Sequence, residues 1–137
     1  MYDNVPEVTS EDFILMPPDE SLRFVPRAAK FPGANKSRGG WILVYAPWCG
    51  HCRNPEWQAK YGALSDWLKR RNLHCYVLDA TKNNRWVDEM EIPGFPFLFV
   101  YDQNGDVYAY EGPRELRDMV ETMVDTLLNV NANANTS

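Results

Sequence analysis

Residues 39–52, GGWILVYAPWCGHC, combine a continuous apolar run with two cysteines that are separated by two residues. An apolar run of this length behind two glycines predicts a strand that is buried on both faces of a sheet. Residues 52–72 change period, with apolar side chains at every third or fourth position, and predict an amphipathic helix. Its apolar face comprises Trp57, Tyr61, Leu64 and Leu68.

The segment LHCYVLDA, residues 73–80, predicts a second buried strand. Strand, helix and strand within about 40 residues indicate a βαβ unit, whose two strands run parallel with a right-handed crossover. Residues 82–91 give a weaker helical signal. Residues 95–112 predict a hairpin around Asn104-Gly105, a dipeptide favoured where both turn residues need positive φ.

The last helix is predicted to start near Pro113, because proline suits the first turn of a helix. Its apolar positions recur at helical spacing. They are Leu116, Met119, Val120, Met123, Val124, Leu127 and Leu128. Residues 129–137, NVNANANTS, have little to bury, and we expect them to form a flexible polar tail.

These elements predict one α/β domain over residues 41–128, with a central mixed sheet between helices. Residues 1–40 are harder to interpret and are predicted to form an N-terminal extension with a divergent first strand and a loop. Within it, DFILM and LRFV each have the composition of a strand. The segment KFPGANKSRGG, residues 30–40, is predicted to be a mobile basic loop.

Composition and charge restrict the functional classes. The net charge of −5 gives no general attraction to nucleic acid or to an anionic membrane. No segment has the roughly 18 to 20 consecutive apolar residues that a membrane span needs. The N-terminus shows no basic start followed by an apolar run, so we expect no signal peptide and a cytoplasmic location by default. A chain trimmed from a longer precursor is instead compatible with the ER lumen or the secretory pathway.

Cys49 and Cys52 lie between a predicted strand and a predicted helix, which is the setting that favours a redox role for C-x-x-C. A thiol at a helix N-terminus faces unpaired N–H groups, and they stabilise its thiolate. The thiolate attacks a substrate disulfide, and a second thiol one turn away releases the reduced substrate. We therefore predict Cys49, at the strand–helix junction, as the nucleophile and Cys52, inside the helix, as the resolving thiol.

Two other roles for these sulfurs compete with this prediction. Cys49, Cys52, Cys75, His51 and His74 include the ligand types of a zinc site, but strand alternation points His74 and Cys75 to opposite faces. A permanent bridge across so short a loop removes little entropy from the unfolded chain. Electron transfer is the favoured interpretation, with no metal and no bound cofactor. Cys75 and His74 are predicted to be structural.

The run YAPWCGHC, residues 45–52, resembles the active site of the thioredoxin superfamily, and Gly50-His51 resembles its protein disulfide isomerase branch. The resemblance extends over about residues 40–128. It implies a thioredoxin fold and a redox disulfide between Cys49 and Cys52. It also implies disulfide exchange with disulfide-containing or unfolded proteins, and with glutathione or a redox partner protein.

The resemblance also implies roles for residues outside the dithiol. Pro96 is expected to be a cis-proline whose backbone, with that of Phe95, binds substrate as an added strand. Trp48 is expected to form an apolar platform over the site. Arg114 resembles an arginine that favours the thiolate of the second cysteine, and His51 is expected to stabilise the Cys49 thiolate.

Two features depart from the family's pattern. Its buried acid and the lysine that pairs with it are replaced by Leu43 and Val77, so both ends of a buried ion pair are apolar together. Because the acid assists proton transfer at the second cysteine, we expect slow resolution of mixed disulfides. The helix proline, Pro55, follows Cys52 by three residues rather than five, which implies a deletion or an earlier bend.

His51 bears on the direction of exchange, because a stabilised thiolate makes the disulfide more oxidising. Thioredoxin lies near −270 mV and protein disulfide isomerase near −180 mV, and C-G-H-C predicts a potential nearer the isomerase. A thioredoxin-like reductase remains an alternative, as does a weakly catalytic, chaperone-like module that holds peptides in the aromatic groove.

Overall fold

The computed structural model describes residues 1–26 and 38–136. The strands within these ranges are β1 (Glu7–Val8), β2 (Phe13–Met16), β3 (Ser21–Phe24), β4 (Gly39–Tyr45), β5 (His74–Asp79), β6 (Phe97–Asp102) and β7 (Val107–Tyr110). The helices are α1 (Pro55–Lys69), α2 (Asn84–Glu89) and α3 (Leu116–Thr136), with 3-10 turns at Ser10–Asp12 and Ala80–Lys82.

The central sheet has the strand order β1-β5-β4-β6-β7. Strands β1, β5 and β4 are parallel, whereas β6 and β7 are antiparallel to their neighbours. The predicted βαβ unit and the mixed sheet between helices are confirmed. The apolar run of β4 occupies the middle of the sheet, and residues 39–44 are all buried. A strand with neighbours on both edges and helices on both faces requires this continuous hydrophobicity.

The two faces of the sheet carry separate hydrophobic layers. On one face, α1 and α3 pack on β4 through the buried side chains of Trp41, Tyr61 and Met123. On the other face, α2 and the β2–β3 hairpin supply Phe13 and Trp86. The predicted apolar face of α1 is confirmed, because all four of its predicted members are buried.

The N-terminal segment contributes strand β1 to the central sheet and forms a separate two-stranded sheet from β2 and β3. DFILM and LRFV form the paired strands β2 and β3, as predicted. Strand β1 adds to the edge of the central sheet, where Glu7 is in register with Val77. The central sheet therefore includes strands from both sides of the boundary predicted at residue 41. Most of the predicted basic loop lies outside the described residues.

Two local features differ from what the sequence predicts. In the β6–β7 turn, φ is positive at Gly105 (84°) but not at Asn104. The Asp102 carboxylate accepts the N–H groups of Asn104 and Asp106, at 2.9 and 3.1 Å, and stabilises a four-residue loop instead. The predicted polar tail is helical as far as Thr136. Extending an existing helix avoids the cost of nucleation, and the alanines in this stretch have high helix propensity.

Leu43 and Val77 lie directly opposite each other on β4 and β5. Both side chains are buried, at 0% and 4% exposure, in the layer under α1. The two positions that replace the family's ion pair are therefore neighbours. An acid at one of them without a base at the other would be a buried, unpaired charge.

Within the described ranges, no helix has the length and apolar character needed to cross a membrane.

Candidate active site

The two cysteines lie in a turn between β4 and α1. The Cys49 N–H donates to the Ala46 carbonyl at 3.0 Å, and the Arg53 N–H closes the turn on the Cys49 carbonyl at 3.1 Å. Helix α1 begins only at Pro55, capped by the Asn54 side chain. Cys52 is therefore not inside the helix, and that prediction is wrong. Pro55 lacks an N–H and fits the first helical position, so the helix starts there.

The two thiols differ in burial. All three cysteines of the chain are free. Cys49 is 9% exposed, whereas Cys52 is completely buried. They pack with Ala46 as a small cluster that touches Tyr45 and Phe95. Cys49 is therefore slightly exposed, whereas Cys52 is not exposed at all.

The same difference appears in acidity. Burial acts to raise the pKa of Cys49, but hydrogen bonds from the Cys52 N–H and thiol, the His51 N–H and the charge of Arg114 outweigh it. The pKa of Cys49 is consequently lowered. Burial raises the pKa of Cys52 to about 12, and the neighbouring Cys49 adds to this increase. These N–H donors belong to the turn rather than to a helix N-terminus, so the turn itself stabilises the Cys49 thiolate.

We expect alkylation to distinguish the two thiols. The thiolate fraction of Cys49 rises as pH increases through a pKa below the ordinary value, so iodoacetamide should modify Cys49 at neutral pH faster than a free cysteine. Cys52 should stay unmodified until the pH approaches its pKa of about 12. Peptide mass spectrometry of samples alkylated between pH 5 and pH 10 (roughly the range around an ordinary thiol pKa) measures the Cys49 rate and should detect no modified Cys52. Equal modification of the two thiols at neutral pH would contradict this difference.

The loop before β6 forms the wall facing the dithiol. The Phe95–Pro96 peptide bond is cis, the geometry that the family resemblance implies. The Cys49 thiol donates to the Phe95 carbonyl at 3.4 Å. Trp48 is 69% exposed and meets the Phe95 ring edge-on, with centroids 5.9 Å apart. An exposed aromatic surface therefore borders the reactive sulfur.

A groove of about 370 Å³ lies beside this wall and is lined by residues 93–98, residues 110–112 and Arg114. Arg114 lines it and donates to the Pro96 carbonyl at 3.0 Å. Its positive charge also acts to lower the pKa of both Cys49 and Cys52. The predicted arginine thus lies within electrostatic reach of the dithiol, with its guanidinium bonded to the proline loop.

His51 and Gly50 are both exposed on the turn. The His51 backbone N–H is one of the donors that lower the pKa of Cys49. The His51 side chain lines a smaller recess of about 180 Å³ with Lys60 and Arg114. A Cβ at Gly50 would meet no atom within 4 Å, so space alone does not require glycine there.

Cys75 and His74 lie away from the dithiol. Cys75 is buried in the layer under α1, and burial raises its pKa far above the ordinary value. His74 is half-buried at the start of β5, and burial lowers its pKa. Among the described residues, no three His, Cys, Asp or Glu side chains are grouped so that they could hold a metal ion.

Two residues at the site were missed by the sequence analysis. The Tyr2 hydroxyl donates to the Cys52 carbonyl at 2.8 Å, and the Gln58 side-chain amide donates to the same oxygen at 3.1 Å. Gln58 lies one turn into α1, six residues after Cys52, and this spacing is not one that a helical pattern brings to one face. Tyr2 is 50 positions away in the chain, and no sequence pattern connects it with the site.

Comparison with known families and proteins agrees with this geometry. The thioredoxin family model matches residues 34–125. The protein disulfide-isomerase of Saccharomyces cerevisiae is 39% identical over 85 residues, which cover 58% of this chain and 15% of the yeast protein. Human protein disulfide-isomerase A6 is 34% identical over 88 residues, covering 62% of this chain and 20% of its own length. The chain thus spans a fifth or less of these curated relatives.

Solved structures establish the fold. Human ERp44 in its form II has a TM-score of 0.63 at 17% identity, covering 91% of this chain and 30% of that chain. Chloroplastic thioredoxin z has a TM-score of 0.63 at 13% identity, covering 92% and 96%. The predicted thioredoxin fold is confirmed, as is the predicted resemblance to the protein disulfide isomerase branch.

Proposed function

The chain belongs to the thioredoxin family, and we propose that it catalyses dithiol–disulfide exchange with protein substrates through Cys49 and Cys52. The observation that carries this proposal is the asymmetry of the two thiols. Cys49 is slightly exposed and has a lowered pKa, whereas Cys52 is completely buried and has a raised pKa. An accessible thiolate backed by a protonated thiol is the arrangement that two-step exchange needs.

In the first step, the Cys49 thiolate attacks one sulfur of a substrate disulfide. A Cys49–substrate bond forms, the substrate S–S bond breaks, and the other substrate sulfur leaves as a thiolate that takes up a proton. In the second step, Cys52 loses its proton and attacks Cys49. The Cys49–Cys52 disulfide forms, and the reduced substrate leaves. The substrate gains two electrons and two protons, and the reverse sequence oxidises a dithiol substrate.

The neighbouring surface suits an extended polypeptide. The Phe95 carbonyl faces Cys49, and a peptide aligned along residues 95–96 would present its disulfide to that sulfur. The exposed Trp48 ring offers an apolar contact for an adjacent side chain. We assign substrate binding to Trp48, Phe95 and Pro96. An unfolded or extended protein segment is the substrate class that this surface favours.

The direction of exchange depends on the relative stability of the dithiol and the disulfide. The hydrogen bonds that the turn donates to Cys49 stabilise the reduced form, and this makes the disulfide more oxidising. We therefore favour an oxidase or isomerase direction over that of a reductase. Glutathione or a redox partner protein would exchange electrons with the Cys49–Cys52 pair.

An oxidising compartment suits this direction. Disulfides form and persist in the ER lumen and other secretory compartments, whereas cytosolic thiols are kept reduced. Similarity to protein disulfide-isomerases favours the ER lumen over the cytoplasmic default that the sequence predicts.

Insulin reduction by dithiothreitol tests the proposal. We expect the chain to accelerate it, and Cys49→Ser to lower the catalysed rate by about three orders of magnitude, because a hydroxyl cannot replace a thiolate nucleophile. Cys75→Ala is the matched control, since Cys75 lies in another hydrophobic cluster and should leave the rate unchanged. A folded chain that binds an unfolded protein but gives no catalysed rate would indicate a holding module instead of a catalyst.

A further inference from the structure

The Tyr2 side chain reaches the active-site turn from the far end of the sequence. Its hydroxyl donates to the Cys52 carbonyl at 2.8 Å. Its ring packs edge-on against Tyr45 and Tyr61, with centroids 5.1 and 6.0 Å away. The ring contacts hold the side chain in one orientation, so the hydroxyl is aimed at the turn rather than at solvent.

The backbone that carries Tyr2 is anchored to the sheet and to α1. The Val77 N–H donates to the Pro6 carbonyl at 3.0 Å, next to the point where β1 joins β5. The Val5 N–H donates to the Tyr2 carbonyl at 3.3 Å, and the Lys69 side chain donates to the Asn4 carbonyl at 3.4 Å. The position of the hydroxyl therefore depends on the central sheet and on α1.

The bond from Tyr2 acts on the peptide unit that closes the active-site turn. The Cys52 carbonyl and the Arg53 N–H belong to one planar peptide. That N–H donates to the carbonyls of Cys49 and Gly50 at 3.1 and 3.2 Å, while Tyr2 and Gln58 donate to the carbonyl end. Hydrogen bonds at both ends of a peptide polarise and strengthen one another. The orientation of this peptide fixes the turn whose Cys52 and His51 N–H groups face Cys49.

We propose that Tyr2 is a positioning residue for the dithiol, whose hydroxyl holds the Cys52–Arg53 peptide so that the turn presents its N–H groups to the Cys49 sulfur. This rests on the proposed function in taking the Cys49 thiolate as the nucleophile. The buried Leu43 contributes no polar atom on this side of the sheet, whereas Tyr2 brings a hydroxyl to the same cluster of side chains. A segment that sequence analysis leaves without a role thereby becomes part of the site.

Tyr2→Phe tests this proposal, because it keeps the ring and removes only the hydroxyl. We expect iodoacetamide to alkylate Cys49 at pH 7 about threefold to tenfold more slowly, because a displaced turn weakens the N–H hydrogen bonds to the thiolate by about the effect of one such bond. The midpoint of the pH–rate profile should move to higher pH by about 0.5 to 1 pH unit, which corresponds to the same threefold to tenfold change. A role limited to packing would lower the urea midpoint and leave this profile unchanged.

Tyr108→Phe is the matched control, since its hydroxyl faces Asp102 on the hairpin. An unchanged Cys49 rate in Tyr2→Phe, or an equal loss in both variants, overturns the proposal. Should Tyr2→Phe not fold, Gln58→Met removes the other donor to the Cys52 carbonyl. A slower rate in that variant supports control of Cys49 through this carbonyl, and an unchanged rate overturns it. Alkylation of Cys49 does not require the chain to turn over a substrate, so it tests the role of Tyr2 alone. Failure of the wild-type chain to accelerate insulin reduction would reject the proposed function and leave the alkylation result unaffected.

Discussion

Replacing Cys52 with serine is expected to convert the protein into a covalent trap for its substrates. Cys49 keeps its thiolate and still attacks a substrate disulfide, but no buried thiol is left to break the mixed disulfide. Catalysed insulin reduction should fall by about two orders of magnitude or more, because an external thiol lacks the high effective concentration of an intramolecular one. Adducts should appear on non-reducing gels and disappear on reduction, and mass spectrometry identifies the trapped proteins.

The control for trapping is the double variant Cys49→Ser/Cys52→Ser, which lacks the nucleophile and should form no adducts. Cys75→Ala in the Cys52→Ser background should still form them, because Cys75 is buried away from the site. Adducts that form equally well without Cys49 would assign the nucleophile to a different sulfur and reject the mechanism.

Leu43→Glu is expected to lower the free energy of unfolding by about 3–5 kcal/mol, because it places a carboxyl without a partner at a fully buried position. Urea denaturation measures the loss. Leu43→Met is the matched control. Because methionine is apolar and similar in volume to leucine, this substitution should lower the free energy of unfolding by less than about 1.5 kcal/mol. Adding Val77→Lys should recover part of the loss, because residues 43 and 77 face each other across β4 and β5.

The same pair of substitutions tests proton transfer at Cys52. The family's acid assists that step, so the chain with Leu43 should resolve mixed disulfides slowly, and Leu43→Glu should accelerate resolution. Stopped-flow decay of a Cys49–glutathione mixed disulfide measures the rate. The double variant Leu43→Glu/Val77→Lys serves where the single variant is too unstable. A folded variant with an unchanged resolution rate would show that proton transfer does not limit this step.

The sequence predicts most of the fold because its periodic patterns are local. The apolar run of β4 and the 3.6-residue period of α1 each express a burial pattern that the structure reproduces. The predictions fail where a side chain or a cap decides the local geometry. The Asn54 cap starts α1 at Pro55, beyond both cysteines, and the Asp102 carboxylate sets the β6–β7 turn. Such contacts depend on single hydrogen bonds and leave no periodic signal.

By itself, the sequence determined the dithiol, the βαβ frame around it and the paired loss of charge at Leu43 and Val77, since each is a matter of residue type and spacing. Only the tertiary structure decided the difference in acidity between Cys49 and Cys52, because burial and N–H donors exist only once the chain has folded. It also brought the Tyr2 hydroxyl to the Cys52 carbonyl, a contact between residues 50 positions apart. The free energy of such a contact depends on distance in space, which no local pattern of residues encodes.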